Sequence, residues 1–443
     1  MNPDVFLVRS GFLADQWTMH FLLSWAMLYR FAYVLMWVTF RIFFRRIDVV
    51  GLEQLPKGKP VILIANHPAS FLDAMVLAVF LRRSLHFYVR GDIFSHPIAY
   101  RILTILHMIP IYSKEHGDGI LQKNKRTFDR GRKLLSKGKM LLVFPEGFSR
   151  LSKELAPLKK GAARVALQTA FGDGQQTDLH ILAIAINYSW HGRGSSLFIR
   201  VGENMQIQHH QEKYLNNPAQ AINALTQEMQ ELFHRNVIHI QDGSRTGLAE
   251  ELMRMQYRDP SFQSHTFFDA SRSICENVMK LDEPMYHQHL GLLDKYQKIL
   301  LRWRTNDRRV ASSHPSLKNL ILIFLILPFF LVGLILWYIP GTMAKRIADK
   351  TVTRIDFYTS VYTGVLGVMG LLWCTGLCIA GWYLFSWIGL ALAMLSPLYA
   401  YLALWWLDMI KRELAHLRFR ELEAVNHRLS EELTEMRKRL IFE

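Results

Sequence analysis

Between Asp356 and Asp408 the chain runs for 51 residues without an Asp, Glu, Lys or Arg. About 20 apolar residues span the hydrocarbon core of a bilayer, so this run is long enough for two crossings. They divide naturally at Ser360–Tyr383 and Leu384–Leu407. A second uncharged run, Leu320 to Ile339, carries Pro328 near its centre. A third, His20 to Phe44, is interrupted by Arg30 and Arg41 and is rich in aromatics (Trp17, Trp25, Tyr29, Tyr33, Trp37). Arginine near mid-bilayer costs at least about 3 kcal/mol, and Trp and Tyr favour the interface. The N-terminal run therefore reads as membrane-anchoring interfacial helices. It lacks the short basic start and small-residue cleavage site of a secretory signal.

The charge balance fits the same setting. The net charge is +16 in a chain that is 50% hydrophobic, and anionic membrane lipid attracts surface Lys and Arg. With membrane segments already present, nucleic acid is not needed as a partner. The three cysteines, Cys275, Cys374 and Cys378, give no disulfide framework. His209-His210 and His287-Gln288-His289 come without nearby carboxylate or cysteine spacing, so they read as surface histidines and no metal is expected.

After Arg46 short apolar strands alternate with amphipathic helices, the pattern of an α/β domain with a mixed sheet flanked by helices. Val61–Ala65, His86–Val89, Met140–Phe144 and Ile181–Ile186 are strand candidates, and Ser70–Leu81 is a largely apolar helix. Three of the strands end in polar or glycine-containing turns: Asn66-His67-Pro68, Pro145-Glu146-Gly147 and Asn187-Tyr188. Ligands of open α/β sheets bind beyond the carboxyl ends of strands, so these turns are the candidate site. Gln122–Lys139 holds eight Lys or Arg and one Asp, and reads chiefly as a solvated helix face. The expected division is an N-terminal anchor (1–46), the α/β domain (47–235), a helical linker or cover (236–313), a membrane segment (314–407) and a charged C-terminal helix (408–443).

A histidine at the end of a buried strand can act as a general base if a carboxylate from the following turn fixes one ring nitrogen. The other nitrogen then accepts a proton from an alcohol. His67 and Asp73 offer that pair. In Phe144-Pro145-Glu146-Gly147-Phe148-Ser149-Arg150, Gly147 permits close backbone approach. Ser149, Arg150 and Lys159-Lys160 are donors suited to a phosphate.

Taken together, these motifs resemble the phospholipid and glycerol acyltransferase family, which includes glycerol-3-phosphate and 1-acylglycerol-3-phosphate acyltransferases. The resemblance covers roughly Val50 to Trp190. The family's Asn-His and Asp correspond to Asn66, His67 and Asp73, which implies His67 as base and Asp73 as its orienting partner. Arg90, Gly91 and Ile109-Pro110-Ile111 are similar to the second motif. Phe144–Arg150 matches the third in full, followed by Leu158-Lys159-Lys160-Gly161. The resemblance implies that Arg90, Glu146, Gly147, Ser149, Arg150 and Lys160 hold a glycerol phosphate acceptor, with Asn66 and Gly91 beside them. Three departures stand out. Five residues separate His67 from Asp73 where the family has four. Ser113-Lys114 replaces an arginine, and Ala183 stands where the fourth motif usually has proline.

The implied activity is transfer of a fatty acyl group from acyl-coenzyme A or acyl carrier protein, as donor substrate and without a cofactor, to a hydroxyl of a glycerolipid precursor. These donors place the site on the cytoplasmic face. Lys411-Arg412, Arg418 and Arg420 should share that side. Two crossings satisfy this if Leu320–Ile339 is re-entrant, bent at Pro328, with Lys345, Arg346, Lys350 and Arg354 cytoplasmic. The alternatives are another lysolipid or amino-acid lipid acceptor, and a non-catalytic membrane-tethered lipid-binding protein.

Overall fold

The computed structural model describes residues 27–112, 120–151, 153–172, 178–189, 192–259, 262–311 and 317–441. The start of the N-terminal apolar run and Ser113-Lys114 lie outside them. The first helix, α1, occupies residues 27–43. One side of it packs Phe40 and Phe43, both fully buried, onto the domain that follows. The other side leaves Met27, Phe31, Val34 and Trp37 exposed.

Seven strands form one sheet in the order β1-β7-β6-β2-β5-β3-β4. They are β1 (Arg46–Val50), β2 (Val61–Ala65), β3 (Leu85–Arg90), β4 (Met108–Ile111), β5 (Met140–Val143), β6 (His180–Tyr188) and β7 (Ser196–Gln206). The strands β6, β2, β5, β3 and β4 are mutually parallel, whereas β7 runs antiparallel to β6 and carries β1 beside it. The expected mixed sheet is thus present, and the carboxyl ends of β2, β5 and β6 open on one edge. Parallel strands are buried on both faces and read as continuous apolar runs, as Val-Ile-Leu-Ile-Ala of β2 does. Its Ile62 and Ile64 face one core with α5 (Gly161–Phe171) and α7 (Pro218–Asn236). Val61, Leu63 and Ala65 face the other, with α1 and α2 (Phe71–Phe80). Pro110 is tolerated because β4 is an edge strand.

The basic segment is helix α4 (Ile120–Leu135). The expected linker region and C-terminal tail are not separate units. Helices α8 (Thr246–Arg258), α9 (Phe267–Lys280), α10 (Glu283–Arg302), α11 (Asp307–Ala311) and α15 (His427–Leu440) share one apolar core. Buried Arg437 ties them, bonding Asp307 at 3.0 Å and the Met255 carbonyl at 3.1 Å, while Tyr296 donates to Asp307 at 2.8 Å. The charges of the expected C-terminal helix thus include this buried one.

The membrane segment corrects two expectations. The chain does not turn back at Pro328, because α12 (Leu317–Thr351) remains helical through both Pro328 and Pro340. Its length is roughly 50 Å at the α-helical rise. The 384–407 segment is not one helix either. Within α13 (Ile355–Met394) the backbone leaves helical geometry at Phe385 and Ser386. The chain folds back there, so that a Cβ on Gly381 or Gly389 would overlap the other's backbone. A second break at Leu395 starts α14 (Ser396–Val425), which carries the apolar run directly into the charged tail. Both ends of α12 are tied to residues outside the apolar runs. Asn319 donates to Glu413 at 2.9 Å, and Arg354, in the turn after α12, donates to the Ser149 carbonyl at 3.2 Å.

At the other edge of the sheet, His86 of β3 stacks on His107, with ring centroids 4.3 Å apart. Burial, reinforced by the neighbouring His107, lowers the His86 pKa to about 4. The folded protein therefore holds it neutral where an unfolded chain takes up a proton near pH 6.5. Its contribution is complete above that value and is lost as pH falls toward 4, at roughly 1.4 kcal/mol per pH unit. Thermal unfolding in detergent between pH 7 and 5 should show a loss of about 2 kcal/mol from this group, and His86→Gln should flatten the dependence.

Candidate active site

His67 follows β2 directly, where the strand's carboxyl end meets the turn into α2. Its Nδ1 lies 2.8 Å from Asp73 Oδ2. Asp73 is fully buried in the first turn of α2 and accepts two further hydrogen bonds, from the Ala69 backbone N–H and from the Tyr188 hydroxyl, each at 2.8 Å. Three hydrogen-bond partners thus converge on one carboxylate. A carboxylate at Nδ1 fixes the tautomer with the proton on Nδ1, leaving Nε2 as the basic nitrogen. The Phe144 ring stacks on the imidazole at 3.7 Å and 10°, so the ring plane is fixed as well. The side chain of His67 remains 17% exposed, enough for Nε2 to be reached.

The two main motifs meet through the backbone, where Arg150 N–H donates to the His67 carbonyl at 3.1 Å. Glu146, at the carboxyl end of β5, is buried and accepts from the Ala156 N–H at 2.9 Å. Burial raises its pKa, against the opposing influence of that N–H, Arg150 and His67. Gly147 has φ +79°, a conformation that favours glycine, and the flexible end of the Lys159 side chain packs where a Cβ would stand. Lys159 and Arg150 both lie over the Phe148 ring. Arg150 also pairs with Glu154 at 3.3 Å. Lys160 is exposed at the start of α5. Arg90 ends β3, two strands from His67 or about 10 Å along the sheet edge, and pairs with Asp92 at 2.8 Å. Gly91 packs against Tyr112 where a Cβ would clash.

Two expected acceptor contacts are corrected. The Asn66 amide donates to the Ile186 carbonyl at 2.8 Å and accepts from the Ile186 N–H at 2.7 Å. It extends the β2–β6 ladder, and neither amide atom is turned to a substrate. The Ser149 hydroxyl donates to Asp356 Oδ2 at 2.6 Å, which commits it to α13.

Four contributors had no role assigned from sequence: Tyr188, expected only as part of a candidate turn, the Phe144 ring, Asp356 and Ser360. The last two had a readable signal. Asp356, Thr359, Ser360 and Thr363 recur at i, i+3, i+4 and i+7 on an otherwise apolar helix, and all four are buried.

The expectation that His209-His210 lacks a carboxylate is also corrected. Glu228 of α7 bonds His209 Nε2 at 3.0 Å and His210 Nε2 at 3.1 Å. Among the described residues this is the one group of three metal-type ligands. It follows β7 at the sheet edge opposite His67, and its carboxylate is already matched by the two imidazoles.

The Acyltransferase family model matches residues 46–187. That segment is an Acyltransferase-family domain. A chloroplastic 1-acyl-sn-glycerol-3-phosphate acyltransferase of Arabidopsis thaliana is 31% identical over 136 residues, which is 30% of this chain and 36% of the relative. Its Brassica napus counterpart is 29% identical over 136 residues, 30% of this chain and 38% of the relative. The chain thus spans little more than a third of the length of these relatives. The crystal structure of the 1-acyl-sn-glycerophosphate acyltransferase of Thermotoga maritima aligns with 46% of this chain and 78% of its own, at 18% identity and a TM-score of 0.29. Within the Acyltransferase-family domain, His67, Asp73 and Phe144–Arg150 come together at one edge. The helices after residue 187 lie outside the family match.

Proposed function

We propose that the protein transfers a fatty acyl group from acyl-coenzyme A or acyl carrier protein to a hydroxyl of 1-acylglycerol 3-phosphate or glycerol 3-phosphate. The observation that carries this reading is His67 held by a buried, triply hydrogen-bonded Asp73 beside the basic Phe144–Arg150 turn. Its Nε2 takes the acceptor's hydroxyl proton as the oxygen attacks the thioester carbonyl. The imidazolium is stabilised by Asp73. On collapse the C–S bond breaks, the proton passes to the departing thiolate, and ester and free thiol are released. Arg150, Lys160 and, across the edge, Arg90 supply positive charge for a phosphate, while Gly147 gives it close access to backbone. The names of the matched relatives support a phosphorylated glycerol acceptor. Purified protein should be offered labelled acyl-coenzyme A and acyl carrier protein against both acceptors. Failure of every pairing would refute the assignment.

The catalytic domain is proposed to sit on the cytoplasmic membrane surface. Exposed apolar residues of α1 would enter the interface, while α13 and α14 enter the bilayer. Both ends of α12 bond residues outside the apolar runs, which favours an unbroken helix lying in the membrane interface with both ends on the cytoplasmic side. Lys350 then faces the cytoplasm with the site. A single cysteine at position 350, with the native three replaced, should resist an impermeant thiol reagent in intact cells and react after permeabilisation. Labelling from outside would refute this topology.

A further inference from the structure

The turn that carries the dyad closes on its own backbone, with Leu72 N–H donating to the Ala69 carbonyl at 3.2 Å and Asp73 N–H to the Ser70 carbonyl at 3.1 Å, and it takes a further brace from a distant element. Ser70, at the N-cap of α2, has φ 53° and ψ −131° and makes no side-chain capping bond. This is a conformation that L-residues occupy only when their surroundings enforce it. The five-residue spacing from His67 to Asp73 is absorbed there. That brace comes from 290 residues away. The Ser360 hydroxyl of α13 donates to the Ala69 carbonyl at 2.5 Å and accepts from the Leu72 N–H at 3.0 Å. It therefore supplies, from another element, the cap that Ser70 does not provide. One helical turn earlier, Asp356 accepts from Ser149 of the third motif. Arg354 closes this second strut, bonding Asp356 at 2.8 Å and the Ser149 carbonyl. Of the polar stripe on α13, Asp356 and Ser360 find their partners in the catalytic loop, whereas Thr363 bonds back to its own helix.

We propose that Ser360 is a positioning residue for the His67–Asp73 pair, so that the start of a membrane helix completes the catalytic loop of the soluble domain. This rests on the acyl-transfer reading above. Ser360 touches neither reacting atom. It fixes the Ala69–Leu72 backbone, and Ala69 N–H in turn bonds the same Asp73 oxygen that holds His67. The coupling is therefore to the geometry of the base and not to substrate affinity.

The test uses the full-length protein in nanodiscs, with Ser360→Ala, Ser360→Thr and Ser360→Ala combined with Asp73→Asn. Ser360→Ala should lower kcat about tenfold, the scale of one hydrogen bond, with KM for donor and acceptor unchanged. Ser360→Thr, which keeps the hydroxyl, should restore most of the rate. In the Asp73→Asn background Ser360→Ala should cost little more, because both changes act through one carboxylate. Hydrogen exchange of the 66–73 peptide gives a readout independent of turnover, and Ser360→Ala should accelerate it about tenfold while Ser360→Thr leaves it protected. Wild-type kcat in a folded Ser360→Ala protein, or full additivity with Asp73→Asn, overturns the proposal. If the wild-type protein transfers no acyl group, the activity reading fails separately. Exchange still decides the clamp in that case, and unchanged exchange in Ser360→Ala rejects it.

Discussion

Replacing His67 with alanine should reduce acyl transfer by at least about 10³-fold while the protein stays folded and membrane-bound. General-base help is typically worth ~10²–10⁴ in rate. Here one ring serves both proton transfers, out of the hydroxyl and onto the leaving thiolate, so the upper part of that range applies. Stability should change little. His67 is in a turn at the sheet edge, outside the two apolar cores that hold the strands. Its ring contributes a stack on Phe144 and one bond to Asp73, and Asp73 keeps the Ala69 and Tyr188 donors when the imidazole is gone. The measurements are kcat/KM by labelled acyl transfer and unfolding temperature in the same detergent. A folded variant with transfer within tenfold of wild type would sink the assignment of the base.

The parts of the site legible in the sequence are those made by short, local chemistry. β2 announces itself as five apolar residues followed at once by Asn-His-Pro. The Phe144–Arg150 turn needs glycine at 147 for its positive φ, which composition alone suggests. What escaped was whatever depends on distant pairing. Asn66 reads as a substrate ligand until β6 is placed beside β2 and supplies Ile186. Tyr188 ends a strand like any other until that placement brings its hydroxyl to Asp73. Ser149 looks like a phosphate donor because nothing near it in sequence explains its hydroxyl, and its partner Asp356 is 207 residues on. Burial of Arg437 was hidden for a similar reason, since tail charges are usually solvated and only the assembled helical layer supplies Asp307. The membrane helices were legible as apolar runs, yet their breaks were not. Pro328 does not reverse α12, whereas Phe385–Ser386, with no proline, does reverse α13 through the close approach of Gly381 and Gly389.

Asp73→Asn should separate orientation of the imidazole from its charge stabilisation. In the wild type, Oδ2 accepts from Ala69 N–H and His67, and Oδ1 accepts from Tyr188. Asparagine has one acceptor and one donor end. The Ala69 N–H is a donor that cannot be reversed, whereas the Tyr188 hydroxyl can rotate and accept. The amide oxygen therefore settles at the Oδ2 position and the amide nitrogen donates to Tyr188. His67 keeps its tautomer and ring plane, and the fold keeps every bond in this cluster. What is lost is the negative charge opposite the imidazolium that forms when the acceptor's proton is taken. Bonds to ionised acceptors are about twice as strong as neutral ones, and this one is buried. The expected result is a fall in kcat of about 10²–10³-fold with KM little changed, larger than the single-bond effects elsewhere in the site. Tyr188→Phe should cost less than tenfold alone, since Asp73 retains its charge. Added to Asp73→Asn, it should matter more for stability than for rate, because the amide nitrogen then loses its buried acceptor. An Asp73→Asn enzyme with near-wild-type kcat would mean that the carboxylate only orients the ring.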